Sequence, residues 1–212
     1  QADGLVYPCA CSRSAIAARA SRPSVDGGLL YPGTCRDGLP PGAAARAWRL
    51  RVPDRTFSFV DRVQGAYSQN LAQEVGDFVL LRADGQYAYQ LAVVVDDAAQ
   101  GITAVVRGVD LLDSTPRQMW LQECLVVPTP RYAHLPVAVN AAGEKLSKQT
   151  CAPPVDAAQG SRLLAEVIGF LGLAVPDELR GATLADFWGW AVPAWSMARV
   201  AKVRAIHLPG RT

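Results

Sequence analysis

The chain has 212 residues and a mass of 22.6 kDa, with half its residues hydrophobic and 19% charged, which excludes a disordered chain and leaves room for one large or two small domains. No uncharged apolar stretch approaches the roughly 18 residues of a membrane span, and Gln1 to Ala10 has neither the basic start nor the apolar core of a signal peptide, so a cytoplasmic protein without membrane contact is expected. The net charge of +2 hides segments of opposite sign: the first 60 residues carry eight Lys/Arg against four Asp/Glu, the last 18 carry four against none, and the stretch between carries nine against 15. Basic ends suit contact with a polyanion, although a scatter of surface arginines gives the same count.

Three of the five cysteines lie in the first 35 residues, in YPCACSR and in GGLLYPGTC. Cys9 and Cys11 are too close along the chain for an unstrained disulfide, but thiolates at i and i+2 on one strand face can share a metal, with Cys35 as a third soft ligand. Zinc takes four ligands, and His134 and His207 are both distant in sequence. The nearest fourth candidate is Tyr31, whose phenolate oxygen could complete a tetrahedron. On spacing alone, three free thiols in a cytosolic protein stand as the alternative. Cys124, in an apolar helical run, and Cys151, in a loop, read as structural.

After the loop GLPPGAA, the segments AWRLRV, TFSFVDR and DFVLLR alternate or run apolar as strands do, predicting an antiparallel, turn-rich region. Asp84-Gly85 is a tight-turn signal, and the chain then changes to a longer apolar block, YAYQLAVVVDDAAQG. ITAVVRG predicts a strand ending at Arg107. A helix is expected next, with Thr115 as N-cap, Pro116 in the first helical position and Gln118 placed for a capping box. RYAHLPVAV predicts another strand, closed by the turn NAAG. From Gly160 onward SRLLAEVIGFLG and ATLADFWGW have helical periodicity, and the chain ends in the basic ARVAKVRAIHLPGR. His134 reads as a satisfied strand residue, and Trp188, Trp190 and Trp195 as core filler of the helical tail.

The NAAG turn leads into GEKLSKQ, two lysines three apart. A compact ammonium suits a phosphate, and a short loop after a buried strand is where an open α/β sheet meets its ligand, although such loops are also common as solvated surface. The order of block, strand, helix, strand and basic loop is that of half a doubly wound nucleotide-binding sheet.

YAYQLAVVVDDAAQGITAVVRGVDLLDSTPRQ, followed by HLPVAVNAAGEKLSKQ, resembles the second half of the catalytic domain of class I glutamyl-tRNA synthetases, KLSKQ being similar to their Lys-x-Ser-Lys signature. Within that superfamily the chain resembles the short paralogues, the glutamyl-queuosine tRNA(Asp) synthetases. Three features carry this: the CxC followed by Tyr-x-x-x-Cys, Gln149 where full-length synthetases usually have Arg, and only about sixty residues after the loop, too few for a typical anticodon-binding domain. The resemblance implies an α/β fold: the second half of a class I synthetase-type Rossmann domain, a zinc-containing α+β insert and a small C-terminal helical region. The expected segments are 1–86 for the zinc-knuckle and antiparallel insert, 87–152 for the Rossmann half and 153–212 for the helical region.

By the same resemblance the enzyme activates glutamate with ATP and Mg2+ and transfers it to queuosine in the anticodon of tRNA(Asp). Lys148 would be catalytic, with Lys145, Leu146, Ser147, Lys148 and Gln149 at ATP, Tyr89 and Arg107 at glutamate, and a structural zinc on Cys9, Cys11, Tyr31 and Cys35. A monomer is expected. Asp96 and Asp97 could bound the pocket, bind a tRNA hydroxyl or cap a helix. Two departures stand out: the spacer between Cys11 and Tyr31 is longer than in similar sequences, and the family's early His-x-Gly-His-type element has no counterpart. The resemblance therefore implies that the chain starts about a third of the way into the enzyme and is inactive alone. A truncated glutamyl-tRNA synthetase and a non-catalytic, zinc-stabilised RNA-binding remnant are the competing readings.

Overall fold

The computed structural model describes residues 3–25, 27–147 and 157–208. In chain order its elements begin with β1 (Val6–Cys9), α1 (Arg13–Ala17), β2 (Ala47–Leu50), β3 (Thr56–Asp61) and β4 (Gly65–Asn70). They continue with α2 (Leu71–Glu74), β5 (Phe78–Leu81), α3 (Tyr89–Ala99), β6 (Ala104–Gly108), α4 (Thr115–Leu125), β7 (Arg131–Leu135) and β8 (Val137–Val139). The last are α5 (Gly160–Phe170), α6 (Leu184–Ala194) and β9 (Ala205–His207).

These elements form two compact units that interleave along the chain. The first comprises Gln1–Phe59, Ala66–Val105 and Leu111–Arg131; the second comprises Val60–Gly65, Val106–Asp110 and Tyr132–Thr212.

In the first unit β1, β2 and β5 form an antiparallel sheet in the order β1-β2-β5, with Cys9 opposite Ala47 and Leu50 opposite Phe78. Asp77, just before β5, ties this sheet together: Tyr7 Oη donates to its Oδ2 at 2.6 Å and the Val52 N–H to its Oδ1 at 2.8 Å. Leu50, Phe57, Leu71, Phe78, Val94 and Leu121 meet in one core, each buried side chain contributing about 1.5–3 kcal/mol. At α2, Asn70 Oδ1 accepts from the Gln73 N–H while Glu74 Oε1 accepts from the Asn70 N–H, a reciprocal cap.

The block YAYQLAVVVDDAAQG forms α3, because eleven residues between two turns suit a helix packed on a neighbour, and α3 packs on α4. The helix after β6 starts one residue earlier than expected. Ser114 is its cap position, Thr115 its first helical residue, and the Ser114 side chain makes no cap bond. Gln118 does not form a capping box: it is buried and its Nε2 donates to Gln90 Oε1 on α3 at 2.9 Å. Here a tertiary partner outcompetes the local one.

In the second unit RYAHLPVAV is two strands. Pro136, which has no N–H for a ladder, separates β7 from β8; β7 pairs with β6, and β8 pairs in parallel with β9. Val63, Ala133 and Val200 form one apolar cluster, and Ala165, Ile168, Leu173, Phe187 and Ala191 form another between α5 and α6. Trp190 and Trp195 pack against these clusters, whereas Trp188 is 45% exposed. Among the described residues no helix is long and apolar enough to cross a membrane.

Candidate functional site

Cys9, Cys11 and Cys35 converge in the first unit, their Sγ atoms all within 4.8 Å of one another, with Cys11 and Cys35 3.7 Å apart. Tyr31 Oη lies 3.4 Å from Cys9 Sγ and 3.9 Å from Cys11 Sγ. A tetrahedral zinc with ordinary bond lengths places sulfurs about 3.8 Å apart and a ligand oxygen about 3.5 Å from each sulfur, so this donor set fits the metal. Arg49, missed by sequence reading, completes the cluster. Its Nε donates to Cys9 Sγ at 3.3 Å, its Nη1 to the Asp77 carbonyl at 2.8 Å, and its guanidinium lies 3.8 Å over the Tyr31 ring.

Burial pushes the Cys9 thiol up, but the bonds from Tyr31 and Arg49 outweigh it and bring the thiol down to about 7, favouring thiolate. Burial, and then the bond to Cys9, push the Tyr31 phenol up, so its service as an anionic ligand would need the metal's own charge. Beside this cluster a cleft of about 650 Å³ is lined by Arg13, Arg46, Arg49 and Arg82.

Tyr89 is the first residue of α3 and is half exposed. Its neighbour Gln90 donates to Ser114 Oγ at 3.0 Å and accepts from Gln118, which fixes the start of α3 against α4. Asp96 and Asp97 sit near the other end of α3, where a carboxylate cannot cap a helix start and the dipole does not favour it.

In the second unit Arg107, on β6, is half-buried, and its Nε donates to His134 Nε2 at 2.9 Å. His134 is fully buried on β7 and its Nδ1 lies 2.6 Å from Asp61 Oδ2. His134 is thus the satisfied strand residue expected, yet it touches the candidate glutamate ligand. Asp61 was not singled out, although FVDRVQG holds its signal: a strand-ending Asp whose Oδ1 accepts from the Val63 and Gln64 N–H groups, each at 2.9 Å.

The NAAG turn forms as the sequence predicts. Asn140 Oδ1 accepts from Ala142 and Glu144 N–H, and Gly143 adopts φ +80°. The turn folds the chain back so that Lys145 bridges Val139 and its Nζ reaches Asp110 Oδ2 at 2.6 Å. Leu146 N–H donates to the Ala138 carbonyl at 2.9 Å, and Leu146 and Ser147 are half-buried. Lys148, Gln149 and Cys151 lie outside the described residues.

The family model of tRNA synthetases class I (E and Q), catalytic domain, matches residues 42–162. A glutamyl-Q tRNA(Asp) synthetase of Dechloromonas aromatica is 57% identical over 206 residues, covering 97% of this chain and 68% of the relative. One of Aromatoleum aromaticum is 55% identical over 210 residues, covering 99% and 66%. The fold is similar to the crystal structure of a glutamate-tRNA synthetase from Elizabethkingia anophelis, with a TM-score of 0.69 at 21% identity, covering 97% of this chain and 48% of that one. The chain thus spans about two thirds of the length of the curated relatives it matches and about half of the solved synthetase. It belongs to the class I tRNA synthetases, within their glutamyl-Q tRNA(Asp) synthetase family.

Proposed function

We propose that the protein activates glutamate with ATP and Mg2+ and transfers it to queuosine in the anticodon of tRNA(Asp). The observation that carries this reading is the 57% identity, over 97% of the chain, to a relative named for that activity. Arg107 takes a glutamate carboxylate through its planar fork of donors, and the Tyr89 hydroxyl contributes to recognising the amino acid.

Activation joins a carboxylate oxygen to the α-phosphate and expels pyrophosphate, so the residues' work is positioning and charge neutralisation. Lys145, anchored by Asp110 and by its bridge to Val139, positions the start of the loop, and Leu146, Ser147 and Gln149 contribute to binding ATP. Lys148 supplies the charge that meets the developing phosphate anion.

Cys9, Cys11, Tyr31 and Cys35 hold a zinc whose role is structural, and Arg49 offsets the negative charge of its thiolates. The arginine-lined cleft beside it suits tRNA phosphates. The protein acts as a monomer in the cytoplasm.

The test uses the full-length protein. Glutamate-dependent pyrophosphate exchange without tRNA is expected, followed by transfer of labelled glutamate to queuosine-containing tRNA(Asp), with the label recovered in the anticodon fragment after nuclease digestion. Label on the terminal adenosine, or equal transfer to tRNA lacking queuosine, overturns the reading.

A further inference from the structure

The Asp61–His134–Arg107 chain fixes where its protons stand. Asp61 and His134 both have fully buried side chains, a costly placement unless every polar atom finds a partner. Asp61 Oδ1 accepts from three backbone N–H groups, those of Val63, Gln64 and His134, at 2.9, 2.9 and 3.0 Å. Such an environment suits a carboxylate, which donates nothing. At the other end the Arg107 guanidinium keeps all its protons, so its Nε can only donate to His134 Nε2. Nε2 must therefore offer a lone pair, and the single proton of a neutral imidazole sits on Nδ1, facing Asp61 Oδ2 at 2.6 Å. The strand and the ring have further contacts. Gln64 Nε2 donates to the His134 carbonyl at 2.9 Å, the Tyr132 ring stacks on the imidazole at 6.0 Å, and the Arg107 guanidinium lies 5.3 Å over Tyr132.

We infer that Asp61 and His134 are positioning residues for substrate recognition: Asp61 sets the His134 tautomer, and His134 in turn sets the plane of the Arg107 guanidinium. This rests on the reading that Arg107 binds glutamate. Since Nε is conjugated with the rest of the guanidinium, fixing its N–H direction orients both terminal nitrogens, which is what a bidentate grip on a carboxylate needs.

Isosteric changes separate the relay from mere structure. In Asp61→Asn the amide oxygen can still serve the three backbone N–H groups, so its NH2 faces Nδ1. His134 must then carry its proton on Nε2, donor against donor with Arg107. His134→Asn removes the acceptor for Arg107, whereas His134→Gln places an amide oxygen near the former Nε2 position. In the full-length enzyme, Asp61→Asn and His134→Asn are expected to raise the glutamate KM by about tenfold or more, with kcat and the ATP KM within about threefold; His134→Gln should stay within about threefold of native. Nitrogen NMR of the native enzyme is expected to find His134 protonated on Nδ1 and bare on Nε2.

If Arg107→Ala leaves the glutamate KM unchanged, the reading of Arg107 fails. If Arg107→Ala raises it while Asp61→Asn and His134→Asn do not, the relay fails and the reading stands. Glutamate and ATP KM rising together in the relay variants, or no rescue by His134→Gln, also overturns the relay. Should the variants not fold, the tautomer decides alone: a proton on Nε2 in the native enzyme overturns it.

Discussion

Asp61 has left water for the protein interior, and three backbone N–H groups and an imidazole replace its hydration. Burial by itself raises a carboxyl's pKa, but the donors outweigh it, and the Asp61 carboxyl is held below its ordinary value. A carboxylate with a depressed folded-state pKa contributes stability that is fully present above its unfolded value of about 3.9 and is lost as pH falls through the folded value. Stability of the native protein is therefore expected to fall more steeply with pH below about 4 than that of Asp61→Asn, measured by urea unfolding across that range; parallel curves would refute the contribution. At this scale, sequence reading found residues with a local signature. Arg107 and Lys145 stood out through motifs, and the three clustered cysteines through their spacing. Asp110 and Arg49 escaped because their partners, Lys145 and Cys9, lie 35 and 40 positions away, and no local pattern announces such a meeting.

Two helices end with the same pair of backbone hydrogen bonds on different residues. At α5, Leu173 N–H donates to the Ile168 carbonyl and Gly172 N–H to the Gly169 carbonyl, with Gly172 at φ +93°. At α4, Val127 donates to Gln122 and Val126 to Glu123, and the left-handed position is filled by Val126 at φ +54°. A Schellman closure favours glycine because a side chain in the left-handed region costs about 1–2 kcal/mol. Val126 is 91% exposed and packs little, so Val126→Gly is expected to raise stability by about 1 kcal/mol in denaturant unfolding. Gly172→Ala should do the reverse, by about 2 kcal/mol or more, since its Cβ would also strike the backbone carbonyl of Arg199. An unchanged midpoint in either variant would contradict its argument. Strand and helix types were legible in AWRLRV, DFVLLR and SRLLAEVIGF because periodicity is local. The start of α4 and the break in RYAHLPVAV were less so, because Gln118 finds its partner on another helix and Pro136 marks where the chain changes strand partner.

At the scale of the molecule, the cysteine cluster is part of the β1-β2-β5 sheet, since Cys9 closes β1 and pairs with Ala47. Among the described residues β1 is an edge strand, secured on one side by β2. One zinc per chain is expected by elemental analysis of protein purified without chelator. Stripping it should speed hydrogen exchange in β1 and α1 more than in α3 and α4, and equal protection before and after would separate the metal from the sheet. The second unit depends on distant segments in another way. A fragment spanning 132–212 keeps His134 but lacks Asp61 and Arg107, so β7 is expected to lose exchange protection in it while the α5–α6 pair retains its own core; protected β7 amides in the fragment would contradict this. The three-segment order expected from the sequence, 1–86, 87–152 and 153–212, follows the chain, whereas the compact units are each assembled from three separate stretches. The second unit therefore cannot be transplanted into another scaffold by a single cut and splice. A recipient would have to supply, from its own chain, a turn equivalent to Val60–Gly65 and a strand end equivalent to Val106–Asp110, each already bearing the partner that its graft needs.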